Sequence, residues 1–447
     1  MDDFKQENIL GLPSEKDDRR WEDFLTTNPG ILFIRLIWID YYGITRVRLT
    51  TKSHMSYLQR SRIPLAVSPG ALDAPYFPLT GRLPRAGVTR IYPDWTSLRL
   101  CLFAPGHAQM MCYLSEAFDG SFLATDPRTL LRKTATRIQA LHSRTVLVGF
   151  EAEFFLLDPS QTPPAPIQNG TNCWSMAGLR GKHLQMLEQI VNILEGSGIP
   201  VQQFHTENGA GFFEIATSPM TPMEAMDALI YTHETIKTIA IEHGFQATVF
   251  PKPSDANIFA GMHAHVSITP THDEDNFLAG LLRSLPAICA LGMPNHDSHV
   301  RLRELSQTTG EWVSWGTEFR DVPLRKISPG HWEVRCIDGT ANMYVVLAAI
   351  LGAGSKGLEE KASLTWRDCQ VSPGSMSPEV RLEHGITSRL PESLKSGLAL
   401  LGGQTSGLQD ILGKRMLEKW ISVKETEDVA CSQLSETRRR AICLSVY

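Results

Sequence analysis

Two glutamates stand one residue apart inside an otherwise apolar segment of the chain, VLVGFEAEFFLLD at residues 146–158. The β-branched and aromatic residues of this segment predict a β-strand. Side chains alternate between the two faces of a strand, so Glu151 and Glu153 share one face. Neighbouring carboxylates in apolar surroundings are unfavourable unless a cation or a base compensates them. The segment therefore indicates either an edge strand with one solvated face or a divalent-metal site with oxygen ligands.

Two further segments carry groups that can bind metal ions. In FHTENGAGFFEIA, a turn or bulge at Asn-Gly-Ala-Gly would let Glu207 and Glu214 reach a common point, and an ordinary loop is the alternative. In GMHAHVSI, a strand would place His263, His265 and Ser267 on one face. Such histidines can be ligands or structural residues, and the pattern alone leaves both interpretations open.

A third region combines arginines with a carboxylate. Arg320 and Arg325 lie in WVSWGTEFRDVPLRKI, and Glu333 and Arg335 share a strand face in HWEVRCIDGTANMY. A surface ion pair, worth at most ~1 kcal/mol, is one interpretation. Several arginines near several carboxylates instead favour phosphoryl transfer, in which guanidinium groups and metal ions stabilise developing charge. The chain has neither a GxGxxG nor a GxxxxGK[ST] loop, so metal ions and arginines would have to hold the phosphates.

The distribution of apolar segments predicts two domains. Short β-rich runs separated by proline and glycine, including a hairpin around Asp40 to Gly43, predict a small domain over 1–120. From Asp126 onwards helices alternate with strands, which predicts a larger domain over 121–447. One of these helices should begin at the capping box that follows Thr221. The fold class is therefore predicted to be α+β.

Charge and composition exclude several classes of protein. The 447 residues include 43 Lys and Arg against 48 Asp and Glu, and this balance does not predict a nucleic-acid or membrane-surface partner. No apolar run approaches the ~18 residues of a transmembrane helix, and the acidic, polar start does not resemble a signal peptide. The eight cysteines form no tight pair, which argues against a zinc knuckle or a disulfide framework. We expect a cytoplasmic enzyme that acts on small molecules.

Five segments occur in an order that identifies the chain as similar to the glutamine synthetase family. They are GFEAEFFLL, ENGAGFFEIA, GMHAHVS, WGTEFRDVPLR and EVRCIDGTANMYVVLAAIL. The residues around the last two segments are most like those of the fungal glutamine-synthetase-like (FluG-type) branch. The resemblance covers roughly 30–447. It implies a β-grasp-like N-terminal domain and a large glutamine-synthetase-type catalytic α/β domain. It also implies ATP, two or three Mg²⁺ or Mn²⁺ ions per site, and active sites between neighbouring subunits of a homo-oligomeric ring.

The resemblance also implies a role for each residue that matches a family motif. The positions that resemble metal ligands are Glu153, Glu207 and Glu214 for one ion, and Glu151, His263 and Glu333 for the other. The positions that resemble substrate contacts are Arg320 and Arg335 on the transferring phosphate, Arg325, His265, Ser267 and the weaker match His205 on the nucleotide, and Arg301 on the substrate carboxylate. The spacing from Arg301 to Arg320 departs from the family pattern by one residue.

Two departures concern the amine side of the implied site. The family's Asp-Gly-Ser-Ser segment, which helps to deprotonate ammonium, corresponds to AVSPGAL at 66–72, and the nearby Asp73 is out of pattern. The glutamate of the family's mobile flap should lie near Thr308 or Thr309, where the nearest acid is Glu311. The resemblance therefore implies the phosphoryl-transfer half of the reaction more strongly than the choice of amine.

A third departure concerns the acid. The family's Asn-Gly-Ser-Gly loop, which cradles glutamate, reads Asn-Ile-Phe-Ala-Gly here, with bulky Ile258 and Phe259. The first hypothesis is an ATP-dependent carboxylate–amine ligase that forms an acyl phosphate and joins glutamate to ammonia or an organic amine. The second keeps this chemistry on another acid, in a biosynthetic or developmental-signal pathway. The third is a non-catalytic assembly protein with the same fold.

Overall fold

The computed structural model describes the chain in six ranges: 13–74, 86–116, 122–169, 173–302, 309–403 and 407–447. The chain divides into two compact units, Met1–Leu130 and Leu131–Tyr447. Both units combine helices with a sheet, which confirms the α+β class. The domain boundary near Gly120 stays a prediction. Among the helices in these ranges, none has the length and apolar character needed to cross a bilayer.

The smaller unit contains a six-stranded sheet. Its elements are α1 (Glu15–Thr27), β1 (Phe33–Ile39), β2 (Thr45–Thr51), α2 (Lys52–Ser61), β3 (Leu65–Val67), β4 (Thr89–Pro93), β5 (Arg99–Leu100) and β6 (His107–Ser115). The strand order is β2-β1-β6-β4-β3, with β5 beside β6. The antiparallel pairing of β1 with β2 confirms the predicted hairpin. Buried Asp40 closes it by accepting hydrogen bonds from the backbone amides of Tyr42 and Ile44.

The larger unit contains a nine-stranded sheet. Its strands are β7 (Thr145–Asp158), β8 (Ala165–Pro166), β9 (Val201–Thr206), β10 (Phe212–Thr217), β11 (Gln246–Thr248), β12 (Met262–Thr269), β13 (Trp315–Thr317), β14 (Leu324–Ser328) and β15 (His331–Val334). They are ordered β13-β14-β15-β12-β7-β10-β9, and β8 and β11 also pair with β7. The long strand β7 lies inside the sheet, because β12 pairs with one of its edges and β10 with the other. An edge-strand position for this segment is thereby excluded.

The register of the larger sheet brings the polar residues of several strands together. Residues directly opposite each other in paired strands point to the same face. The opposed pairs that carry titratable groups are Glu151 with His263, Glu153 with Glu214, His265 with Glu333, and Arg325 with Glu333. Groups distant in sequence therefore lie on one face of one sheet.

The described helices from α3 onwards lie between these strands in sequence or follow them. They are α3 (Pro127–His142), α4 (Met176–Leu179), α5 (Lys182–Gly196), α6 (Pro222–Glu242), α7 (Glu274–Gly292), α8 (Met343–Glu359), α9 (Pro378–Glu383), α10 (Leu394–Gly402), α11 (Leu408–Leu412), α12 (Lys414–Ser432) and α13 (Glu436–Leu444). The predicted capping box of α6 is present, because the Thr221 backbone amide donates to Glu224 Oε2 at 3.3 Å.

The two most buried helices, α7 and α8, approach each other through glycines. A methyl group on Gly280 would lie against the Ala353 carbonyl oxygen and 2.8 Å from the Gly357 Cα atom. On the sheet side of α7, Phe277 stacks on Trp332 of β15 with ring centroids 5.3 Å apart. Because protein interiors are close-packed, the glycine contact fixes how near α8 comes to α7. Through Trp332, this packing supports the strand that carries Glu333.

We predict that Gly280→Ala destabilises the protein by about 1–3 kcal/mol, because the added methyl group overpacks the α7–α8 contact. The measurement is the midpoint of urea unfolding. Gly402→Ala is the matched control. A methyl group there meets only the Ile421 side chain, at 3.4 Å, so stability should stay within about 0.5 kcal/mol. Equal midpoints for both variants would contradict the proposed closeness of the helices.

Candidate functional site

The first group of polar side chains, called cluster A, consists of Glu151, His263, His265 and Glu333. His263 Nδ1 lies 3.0 Å from Glu151 Oε2 and 3.2 Å from Glu333 Oε1. His265 Nε2 lies 3.1 Å from Glu151 Oε1. Glu151, His265 and Glu333 each offer one ligand atom to a set whose members lie within 4.8 Å of one another. Glu151, His263 and Glu333, which are predicted to bind the second ion, therefore lie together, and His265 is an additional possible donor.

Arginines surround the Glu333 end of cluster A. Glu333 is fully buried and contacts both Arg335 and Arg325, the latter with Nη1 3.1 Å from Glu333 Oε2. Arg325 also contacts Glu318. A guanidinium group has several N–H donors in a planar fork, so Arg325 and Arg335 can each donate to a phosphate oxygen as well as to the carboxylate that they already contact. This arrangement suits the binding of an anion next to a metal ion.

The second group, called cluster B, consists of His205, Glu207 and Glu214. His205 Nδ1 lies 3.4 Å from Glu207 Oε1, and His205 Nε2 lies 3.3 Å from Glu214 Oε1. One ligand atom from each residue lies within 4.8 Å of the others. His205, a candidate for nucleotide contact on sequence grounds, is therefore positioned between two predicted metal ligands.

Glu153 lies between the two clusters. It is opposite Glu214 in the β7–β10 register, accepts a hydrogen bond from the Gly261 backbone amide, and has Oε1 3.7 Å from His263 Nδ1. A side chain at residue 261 would begin 2.8 Å from His263 Nε2 and close to the Arg301 guanidinium, so one of these two side chains would have to shift. Glu153 therefore connects cluster A to cluster B through one carboxylate.

The proximity of so many acids alters their proton affinities. Burial, followed by the charges of Glu151 and Glu153, raises the pKa of Glu214 to about 7 although His205 opposes the shift. Burial and Glu153 likewise raise the pKa of Glu207. Burial and Arg335 lower the pKa of His263, but the neighbouring carboxylates outweigh both and raise it to about 9. The site holds an excess of negative charge that a cation would relieve.

The donor chemistry of both clusters suits divalent metal ions. Carboxylate oxygens are preferred by Mg²⁺, and Mn²⁺ also accepts imidazole nitrogen. Cluster A offers two carboxylates and two imidazoles, and cluster B offers two carboxylates and one imidazole. The residues present therefore fit the metal ions that the resemblance implies. The assignment of individual ligands stays a prediction.

Arg301 lies deep in the same unit, on the short 3₁₀ turn Ser298–Leu302. It is fully buried, and its guanidinium donates to the carbonyl oxygens of Ile337 and Arg335. Burial lowers the pKa of Arg301, opposed mainly by Asp338 and Glu153. Because it lies beside Gly261, Arg301 is close to the end of the loop expected to cradle the acid.

A small cavity adjoins cluster A. It has a volume of about 210 Å³, and its lining includes Glu151, His265, Ser267 and His331. His265 Nδ1 lies 3.0 Å from His331 Nε2. His331 was missed in the sequence, although its position two residues before Glu333 in a strand is the signal that would have found it. Two of the expected nucleotide-contacting residues, His265 and Ser267, thus share a cavity.

Two predicted residues lie away from the tight clusters. Burial and Glu207 raise the pKa of the Cys173 thiol beside cluster B, and the charge of exposed Arg320 opposes this shift. Glu311 pairs with Arg389, with Oε2 3.1 Å from Nη1, at the edge of an open cavity of about 880 Å³. Thr309 is buried, and the alternative flap position at Thr308 lies outside the described residues.

Cys173 and Trp174 also border cluster B, although no sequence motif identifies them as site residues. Cys173 Sγ donates to Glu207 Oε2 at 3.8 Å, and the Trp174 ring lies 6.5 Å from the His205 ring. The residues around them have neither strand nor long-helix periodicity, so the sequence does not indicate that they lie beside cluster B. Only the fold brings them to the cluster.

Comparison with known proteins is consistent with this geometry. Residues 124–440 match the family described as "Glutamine synthetase, catalytic domain". The chain is 33% identical to the protein fluG of Emericella nidulans over 95% of this chain and 50% of that protein, so it spans about half the length of that relative. It is 27% identical to the gamma-glutamylpolyamine synthetase of Streptomyces coelicolor over 76% of each chain. A solved structure titled "GmaS/ADP complex" is 22% identical and has the same fold, with a TM-score of 0.80 over 94% of this chain and 98% of that one.

We predict that Mn²⁺ binds to the protein and raises its Tm by about 5 °C at 100-fold excess over Kd, because the ion relieves repulsion among the carboxylates. Electron paramagnetic resonance counts the bound ions, and calorimetry gives Tm. Glu207→Gln should weaken binding of one ion at least tenfold, a loss of about 1.4 kcal/mol. Glu383→Gln, on exposed α9, is the control and should bind as the native protein does. Unchanged binding in Glu207→Gln would refute cluster B as a metal site.

Proposed function

This chain belongs to the glutamine synthetase family, and on that premise we propose that it is an ATP-dependent ligase that joins a carboxylic acid to an amine. The observation that carries the proposal is the convergence of two candidate metal-binding clusters and two arginines on one face of the larger sheet. We further propose glutamate as the acid, activated at its γ-carboxylate. Family members whose names specify γ-glutamyl transfer to polyamines support this choice.

In the first step, an oxygen of the acid attacks the γ-phosphorus of ATP, and the bond to the leaving ADP oxygen breaks. The product is an acyl phosphate. Glu151, Glu153, Glu207, Glu214, His263 and Glu333 would hold divalent metal ions, which supply charge neutralisation on the phosphate oxygens when bound. Arg335 and Arg325 stand at the buried end of cluster A, where they orient the phosphate and stabilise its charge, and exposed Arg320 adds positive charge from the side of Cys173.

In the second step, the amine nitrogen attacks the acyl carbon. The carbon–nitrogen bond forms, the carbon–oxygen bond to phosphate breaks, and inorganic phosphate leaves. The nitrogen loses a proton to water or to a carboxylate at the site. Activation is necessary because a free carboxylate is a poor acyl donor at neutral pH, whereas phosphate is a good leaving group.

The acid pocket is proposed to lie between Arg301 and the loop that ends at Gly261. Ile258 of this loop packs on the β9–β10 turn, since a side chain at Gly209 would begin 3.0 Å from Ile258 Cγ2. Ile258 therefore contacts the chain two residues from Glu207 of cluster B. This bulky contact favours a second candidate, in which the same reaction is performed on an acid other than glutamate. Arg301 would hold a carboxylate in either case.

The remaining expectations complete the proposal. We propose an N-terminal domain over 1–120, a catalytic domain over 121–447 and a homo-oligomeric ring, because family members assemble as oligomers. His265, Ser267 and His331 would contact ATP from the small cavity beside cluster A. Glu311 is proposed to close the acid site after release from Arg389.

We predict release of phosphate and formation of a hydroxamate when the protein is given ATP, Mg²⁺, L-glutamate and hydroxylamine, a small surrogate amine.

Arg320→Ala should lower kcat/KM by about 10²–10³-fold, because a group that stabilises the transferring phosphate is lost. Arg320 is exposed, so the variant should fold. The control is Arg367→Ala, another exposed arginine of the same unit, with native kcat/KM expected. Equal kinetics for the two variants would remove Arg320 from the reaction.

We predict that Ile258→Gly changes the preference among acids by at least tenfold, because it enlarges the pocket beside cluster B. The ratio of kcat/KM for L-glutamate to that for longer or bulkier dicarboxylic acids is measured with hydroxylamine. Val371→Gly removes an exposed side chain and serves as the control. A ratio that does not move in Ile258→Gly would place the acid elsewhere.

A further inference from the structure

The backbone of Trp174 adopts a conformation that is unfavourable for a residue with a large side chain. Its backbone has φ of +55°, a left-handed conformation that is costly for a bulky residue, and its side chain is 70% exposed. The backbone amide is fixed by a hydrogen bond of 3.0 Å to the Thr206 carbonyl oxygen at the end of β9. Folding therefore keeps a large apolar ring in water at a defined position, against the usual tendency to bury it.

The position is the border of cluster B. The indole and the His205 imidazole meet edge to face, with centroids 6.5 Å apart and planes at 83°. His205 in turn contacts Glu207 and Glu214. Cys173, the residue before Trp174, has its Sγ atom 3.8 Å from Glu207 Oε2. The Trp174 ring is thus separated from the carboxylates of cluster B by one imidazole.

The surroundings combine negative charge with apolar surface. Glu207 is half-buried at the edge of the cluster, and Met176, two residues from Trp174, is 62% exposed. An aromatic ring beside carboxylates attracts an organic cation through its face and packs against the attached carbon atoms. The thioether side chain of methionine adapts to substituents of different shape. Ammonia has no carbon atoms, so it would leave this surface unused.

We propose that Trp174 forms the apolar wall of the amine pocket, and that the amine substrate is a primary amine with an apolar or aromatic substituent. The amine nitrogen would point towards cluster B, where the activated acid lies, and its substituent would rest on the indole. This inference rests on the proposed function, since it names the substrate class of the same site. Trp174 is a specificity-determining residue in this arrangement.

The first experiment measures kcat/KM for ammonia, methylamine, isopropylamine and benzylamine, with ATP, Mg²⁺ and L-glutamate, and with hydroxylamine as the reference. In the native protein, kcat/KM should rise at least tenfold from ammonia to benzylamine. In Trp174→Ala, the ratio of benzylamine to hydroxylamine should fall about 10- to 100-fold, and Trp174→Phe should restore most of it. Ile241→Ala, which alters an equally exposed side chain on α6, should keep the native ratio.

The outcomes separate this inference from the proposed function. Preference of the native protein for ammonia, or equal ratios in Trp174→Ala and Ile241→Ala, overturns the inference while hydroxamate formation still supports the ligase. Loss of the oligomer in Trp174→Ala with an unchanged amine ratio also overturns it and assigns the ring to a subunit contact instead. Absence of amine-dependent phosphate release with hydroxylamine and with every other amine refutes the glutamate ligase of the proposed function and the inference with it.

A binding measurement gives a second, independent readout. Benzylamine should quench tryptophan fluorescence of the native protein in the presence of Mg²⁺ and L-glutamate without ATP, and Trp174→Phe should lose most of that quenching. Ammonium chloride at the same concentration is the control. Equal quenching in the native protein and in Trp174→Phe contradicts contact between the amine and the indole.

Discussion

The register of the larger sheet places several glutamates close together. The larger unit therefore depends on compensation of the repulsion between their charges. Glu153 and Glu214 are directly opposite each other on neighbouring strands, and Glu151 and Glu333 meet across His263. Like charges in such positions destabilise a sheet unless they are compensated. Arg325, Arg335, His205 and His263 compensate part of the charge. The remaining negative charge is the physical basis for the proposed binding of divalent cations.

The strands of the site could be predicted from the sequence, because period-two alternation in an apolar segment determines which residues share a face. Alternation pairs Glu151 with Glu153 and His263 with His265, and the sheet confirms both pairs. What alternation cannot supply is the register between strands. The position of His205 between Glu207 and Glu214 depends on how β9 meets β10 after the turn, which local sequence does not determine. The family resemblance groups Glu207 with Glu214, but it assigns His205 to the nucleotide and not to a position between them.

The connections were the least predictable part of the site. Trp174 and Ile258 lie in segments without strand or helix periodicity, yet both border cluster B. The division between paired strands and connecting segments matches the two parts of the proposed reaction. Phosphoryl transfer requires many charged groups at fixed separations, and strands paired on both sides provide them. The choice of acid and amine depends on a few apolar contacts, and connecting segments can provide these without disturbing the sheet.

The interior position of β7 has a consequence for how chains of this kind can change in length. Its neighbours on both sides are in register with it over many residues, and Glu151 and Glu153 point to the site only in that register. Insertion or deletion of one codon ahead of Glu151 within the strand would turn both carboxylates to the opposite face. The same event between β8 and α5, where Trp174 lies, falls in none of the described strands. A change in length there keeps Glu151 and Glu153 in register with the neighbouring strands, whereas a change inside β7 does not.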